Sequence, residues 1–247
     1  MTAFSADSVE STTVVGFSKI ESQLRGFSGG GFAFSSVTSQ PMDLQQILPV
    51  APKGEDAGNW MFYVSLMTTG GSTGDTFVYM TQNGDGVAKD GWYDADGNET
   101  YIKGVQFARG EGFFFSSDFD EGSGAGFITS GAVDNTAFAS SAVRGFNAKC
   151  NPYPVEIDLQ DIMPVPPEGE DAGNWMFYIS LVTTGASTGD TFVYMTQDSD
   201  GVAKDGWYDS DGNETYIEGI KFKPGEGFFF SSDFDKGSAC KFKGFSM

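Results

Sequence analysis

The chain has no histidine among its 247 residues. Ser-His-Asp and Cys-His catalytic arrangements and histidine-ligated metal sites are therefore excluded. Positive charge is scarce: 14 lysines and arginines stand against 34 aspartates and glutamates, a formal net charge of −20. Phosphate backbones are held by clustered cations, so nucleic acid and anionic membrane surfaces are disfavoured as partners. No run of about 18 apolar residues occurs, so no segment reads as a membrane-spanning helix. The opening MTAFSADSVESTTVVGF has neither a basic n-region nor an apolar h-region and does not read as a signal peptide. The composition favours an extracellular or cell-surface protein whose leader is absent from this chain. Long Leu/Ala/Glu/Lys runs are also missing, which argues against helices.

What is present is glycine (34), phenylalanine (24) and a near-perfect repeat. Residues 54–122 and 169–237 align without a gap at an offset of 115, and about 12 of the 69 positions differ. A catalytic site is normally singular, whereas a copied unit suggests tandem building or multivalent binding. Phe and Gly at these levels imply many short strands joined by tight turns. In NWMFYVSL, Trp60, Phe62, Val64 and Leu66 fall on one face at strand period, and the other face is also largely apolar. Strands follow at 75–82, at GWYD (91–94), in NETYIKGVQF and at 113–119, with Asp96-Gly97 as a hairpin signal. DLQQILPV (43–50) and DLQDIMPV (158–165) allow a strand or one helical turn. The expected fold is all-β: two tandem antiparallel β-sandwich, jelly-roll-like domains. They divide as an arm over 1–29, a first repeat over 30–128, a connector over 129–144 and a second repeat over 145–247.

Short echoes recur outside the repeat, such as Arg-Gly-Phe at 25–27 and 144–146 and Thr-Ala-Phe at 2–4 and 136–138. Residues 1–24 thus resemble 126–143. Such segments read either as edge strands of their own domains or as arms that pair with a sheet edge of a neighbouring chain, a known route to polymers.

The candidate sites are acidic, aromatic and thiol-bearing. Asp85, Asp90, Asp94 and Asp96 in the first unit, and Asp198, Asp200, Asp205, Asp209 and Asp211 in the second, alternate with glycine. Ca²⁺ takes six to eight oxygens from such loops, although the full twelve-residue EF-hand pattern is not met. The same residues also make ordinary Asp-Gly turns. TTGGSTGD lacks the Gly-Lys-Ser/Thr of a phosphate loop and reads as a turn. Acid pairs for glycoside hydrolysis have no identifiable singular cleft, so the chain reads as non-enzymatic. Trp60 and Trp175 read as core, while Trp92 and Trp207, beside acidic turns, read as half-exposed stacking platforms for a sugar ring. Cys150 and Cys240 flank the second unit, and the gapless counterparts in the first are Ser35 and Ala125. Their joint absence there suggests a pair. A disulfide closing a loop of about 90 residues stabilises by roughly 4–5 kcal/mol and implies an oxidising compartment. Two buried free thiols, or a bond to another chain, are the alternatives.

Gly91-Trp92-Tyr93-Asp94-Ala95-Asp96-Gly97-Asn98 resembles the GWYYxDxxG hairpin of bacterial choline-binding and glucan-binding repeats. That resemblance implies aromatic surfaces for choline or glucan. NPYPVEIDLQDI and GEGFFFSS resemble β-rich repeats of secreted bacterial surface proteins of unknown function. The leading expectation is an extracellular structural protein, the subunit of a surface filament, sheath or layer that joins copies of itself head to tail through terminal strands. A tandem carbohydrate-binding module with glycan partners, or a Ca²⁺-dependent adhesin, is the alternative.

Overall fold

The computed structural model describes residues 15–21, 27–34, 41–67, 73–82, 87–96, 100–120, 123–182, 188–197, 202–211 and 215–246. The fold is all-β. The first unit contains β1 (Val15–Glu21), β2 (Phe27–Gly31), β3 (Met42–Asp43), β4 (Leu48–Val50), β5 (Phe62–Met67), β6 (Thr73–Met80), β7 (Gly91–Asp94), β8 (Gln106–Phe107), β9 (Gly112–Ser117) and β10 (Gly126–Ala132). The second contains β11 (Phe138–Ala142), β12 (Gly145–Cys150), β13 (Ile157–Asp158), β14 (Ile162–Val165), β15 (Phe177–Val182), β16 (Thr188–Met195), β17 (Gly206–Asp209), β18 (Lys221–Phe222), β19 (Gly227–Ser232) and β20 (Ser238–Phe242).

Each strand of the first unit has its counterpart ten places later. The sheets run β2-β9-β5-β6-β7, β1-β10-β4 and β3-β8, then β12-β19-β15-β16-β17, β11-β20-β14 and β13-β18. The alternation of GFFFSS explains how the sheets close on a core. Phe113 and Phe115 point inward with Phe62, Phe77, Trp92 and Phe127, while Phe114 points to the opposite face. Phe177, Phe192, Trp207, Phe228, Phe230 and Phe242 do the same in the second unit. Each fully buried ring contributes about 1.5–3 kcal/mol from area removed from water.

DLQQ resolves into both options that the sequence left open. Leu44–Gln46 form one 3-10 turn, with Asp43 accepting from the Gln45 N–H at 2.9 Å, and β4 follows. Gln45 then reaches across the unit, donating to the carbonyls of Trp92 (3.0 Å) and Ile102 (2.9 Å) and accepting from the Trp92 N–H (2.9 Å). Gln160 repeats this at Trp207 and Ile217. Among the described residues of NETYIKGVQF only fragments are strand: a bridge from Tyr101 to Tyr93, and β8.

The described part of the arm follows the first of the two readings, an edge strand of its own domain. β1 pairs with β10 and β2 with β9 of the same unit, so the described arm takes the place that β11 and β12 hold in the second unit. Residues 1–14 lie outside the described residues. The stretch read as a connector is mostly strand, since β10 and β11 cover much of 126–142.

The units meet through equivalent elements. The outer faces of β2 and β9 lie against those of β12 and β19, and Phe114 packs against its counterpart Phe229 in a tilted arrangement with ring centroids 5.5 Å apart. Bridges join Gly30 to Glu226 and Glu111 to Lys149, which are themselves equivalent pairs, so the seam has local two-fold character. Glycine makes this approach feasible. A Cβ on Gly227 would lie 2.4 Å from the backbone of Gly29, and one on Gly112 would lie 2.7 Å from that of Lys149.

Candidate functional site

The tryptophans exchange their expected roles. Trp92 and Trp207 are fully buried, and their indole N–H groups donate to the carbonyls of Ile47 (2.8 Å) and Ile162 (2.5 Å). They are core residues and cannot serve as stacking platforms. Trp60 and Trp175 precede β5 and β15 in the left-handed region, at φ 65° and 63°, and Trp175 is 37 % exposed. A bulky residue rarely adopts that conformation. Here it is held by the Trp60 N–H to the Tyr79 carbonyl and by the Tyr63 hydroxyl donating to the Trp60 carbonyl at 2.6 Å. The sequence carried a signal for this: Gly58-Asn59 just before Trp60 is a turn pair, and it outweighs the apolar alternation that made Trp60 look like mid-strand core.

The acidic loops behave largely as turns. Asp90 accepts from the Gln82 N–H (2.8 Å), Asp205 from the Gln197 N–H (2.9 Å) and Asp94 from the Asp96 N–H (2.9 Å). Asp209 keeps one buried carboxylate oxygen without a partner among the described residues. Asp96 and Asp211 lie two residues beyond the ends of β7 and β17, and Asp85, Asp198 and Asp200 lie outside the described residues. No group of three or more acidic, Cys or His side chains suited to a metal occurs among the described residues. Beside the first loop lies an open cleft of about 510 Å³, lined by Asp56, Asn59, Tyr79, Thr81, Gln82 and Asp90. Burial, then Asp90, raises the pKa of Tyr79; burial, then Asp205, raises that of Tyr194 to about 12.

Cys150 and Cys240 are free and buried, not joined as expected. Strand alternation explains this. Lys149 is paired with Phe228 and shares its inward face, so Cys150, paired with Gly227, faces the seam. There its Sγ lies against Gly31 and the Glu111 carbonyl, whereas Cys240 belongs to the core of the second unit. The ladder also corrects the gapless alignment. Gly31 opposite Gly112 matches Cys150 opposite Gly227, and Phe127 opposite Pro49 matches Cys240 opposite Pro164. Loops absorb the length differences, so Gly31 and Phe127, not Ser35 and Ala125, are the counterparts.

The seam is also where the repeat departs most from itself. Arg109 stands where the second unit has Pro224. Its guanidinium donates to the Asp134 carboxylate (2.8 Å) and carbonyl (2.7 Å) and lies 4.1 Å over the Phe138 ring, tying the first unit to the second. Lys149 stands where the first unit has Gly30. It is 4 % exposed and donates to Ser140 Oγ (2.8 Å) and to the Ser141 carbonyl (2.7 Å). Lys149 lines a cavity of about 230 Å³ at the seam, with Ser140, Glu111, Met67 and Phe146. Burial pushes the Lys149 pKa down; Cys240, Glu111 and Cys150 act in the opposite direction. Sequence reasoning missed this cluster because the gapless offset set Lys149 against Phe34 and not against Gly30, its counterpart in the ladder. The signal was AKC against GGG after the shared Arg-Gly-Phe.

Burial raises the thiols of Cys150 and Cys240 from 9.0 to about 12, outweighing the Lys149 charge that lowers them. Their contribution to stability is fully present below pH 9.0 and is lost as pH rises towards 12, because the unfolded chain ionises first. The loss approaches about 1.4 kcal/mol per pH unit for each thiol. Guanidinium melts from pH 8 to 11 will show a steeper alkaline decline in the natural chain than in Cys240→Ala. Equal slopes would mean that Cys240 is not buried.

Compared with protein-family models, curated proteins and solved structures, the chain matches none.

Proposed function

We propose that the protein is an extracellular structural subunit of a filament, sheath or layer, and that it associates with further copies of itself. One observation carries this reading: the outer face of β1-β10-β4. Val15 (62 % exposed), Phe17 (76 %) and Leu48 (51 %) project from it, and Leu48 continues a cross-strand row with Ile128 and Lys19. Copies bearing a charge of −20 repel one another, so a contact between them needs an apolar face, and on this one Glu21 is neutralised by Lys19 at 3.1 Å. The equivalent row of the second unit is Ala139, Lys241 and Met163, with a lysine in place of Ile128. The two ends are thus chemically unlike, as a head-to-tail contact requires. The glycine seam supports the same reading, because it fuses the two units into a block that transmits load through backbone.

The role played by a terminal strand is accordingly that of a contact surface: β1 stays in its own sheet and offers its outer face. Sedimentation velocity across a hundredfold concentration range, with negative-stain imaging, tests this. Concentration-dependent assembly is expected for the natural chain, and Phe17→Asp should return it to monomer without moving the melting temperature. A natural chain that remains monomeric at the highest concentration would end the proposal.

A further inference from the structure

The two units build one buried junction from different chemistry, and the fold does not demand the difference. In the first unit the junction holds Gly30, Ile20 and Phe127. The Phe127 ring reaches to within 2.6 Å of where a Gly30 Cβ would stand, so the large side chain of one strand fills the space left by the other. Register assigns the second unit's equivalents: Lys149 for Gly30, Ser140 for Ile20 and Cys240 for Phe127. An apolar trio has become an amine, a hydroxyl and a thiol. The first unit demonstrates that hydrocarbon closes this junction, and a buried amine is costly to desolvate. A polar cluster that the fold can do without, facing a cavity, is a candidate for chemistry.

From this juxtaposition we propose that Ser140 and Lys149 form a nucleophile–base pair that accepts a small acyl group from an ester bound in the seam cavity. This activity goes beyond the structural reading and does not depend on it. The Lys149 Nζ lies 2.8 Å from Ser140 Oγ, within the reach a general base needs. Its second bond, to the Ser141 carbonyl at 2.7 Å, fixes the direction of the amine. Val143 (47 % exposed) and Phe146 (39 %) stand at the mouth of the cavity, and its volume of about 230 Å³ suits a short acyl chain. Burial favours the neutral amine; the Cys240 thiol, the Glu111 carboxylate and Cys150, on the opposite face of the same strand, act against it.

In the reaction Ser140 Oγ bonds to the ester carbonyl carbon and its proton passes to Lys149. The bond from that carbon to the alcohol oxygen breaks, and the departing alcohol takes the proton back from Lys149. Water then cleaves the Ser140 ester by the same proton exchange and releases the acid.

The probe is an alkyl fluorophosphonate applied to the full chain, read by intact mass and peptide mapping. One adduct is expected, at Ser140, with a rate that rises with pH and levels off below 10.5 as Lys149 becomes neutral. Ser140→Ala should abolish it. Lys149→Met should slow it by about 100-fold or more, the lower range for loss of a general base. Ser130→Ala, on the exposed side of β10, should leave it unchanged. The absence of an adduct on the folded natural chain, an adduct at another residue, or an undiminished rate in Lys149→Met would each overturn the assignment. Should Lys149→Met fail to fold, the pH profile of the natural chain decides: a rate without a plateau below 10.5 sinks the role of the amine.

Discussion

Trp207→Ala will lower the stability of the second unit by about 3–5 kcal/mol, the range for deleting a large buried aromatic. The side chain has no exposed surface, packs edge-to-face on Tyr194 with centroids 5.3 Å apart, and gives its indole N–H to the Ile162 carbonyl. Truncation leaves a cavity and strands that carbonyl. Trp207→Phe separates the two terms: it keeps most of the packing but leaves the carbonyl unpaired, which costs about 1–3 kcal/mol. Trp92→Ala should match Trp207→Ala closely, because Tyr79, Ile47 and Gln45 reproduce the surroundings. Chemical denaturation checks all three. An unchanged midpoint in Trp207→Ala would place the ring outside the core and restore the glycan-platform reading of the GWYD hairpin.

Gly227→Val will open the seam. Its first added atom would stand 2.4 Å from Gly29 and 2.5 Å from Gly30, both backbone, so no side chain can yield and a strand must move. Overpacking of this type costs about 1–3 kcal/mol where side chains can shift, and more where they cannot. Gly169→Ala is the informative control. Gly169 has φ +85° and open space around it, so its penalty is conformational only, about 1 kcal/mol. Gly112→Val, aimed at the backbone of Lys149 from the other side, should resemble Gly227→Val. Hydrogen exchange on β2, β9, β12 and β19 should rise in Gly227→Val before it rises on β6 or β16. A uniform rise, or none, would mean that the seam is not a separate stabilising surface.

Much of the architecture is visible in local pattern. GFFFSS, TFVYM and GWYD read as strands because alternation and β-propensity agree there, and each forms one. DLQQ was ambiguous for a good reason: it is a turn and then a strand. NETYIKGVQF misled because a β-branched and aromatic run satisfies strand propensity without having a partner strand along its length. The tryptophans misled because NWMFYVSL is apolar on both faces, so periodicity cannot say where the strand begins. Trp92 looked exposed from its acidic neighbours, yet pairing with Tyr79 turns its side chain to the core.

By itself the sequence determined that this is an all-β protein of two near-identical units, strongly acidic and without histidine chemistry. Those properties follow from composition and from short-range periodicity, which act within a strand or a turn. Tertiary structure decided which tryptophans are buried, that Cys150 faces the seam while Cys240 lies in the core of the second unit, and that Lys149 meets Ser140. Each of these depends on register between strands far apart in the chain. A shift of one residue in that register exchanges the two faces, and no local pattern records it.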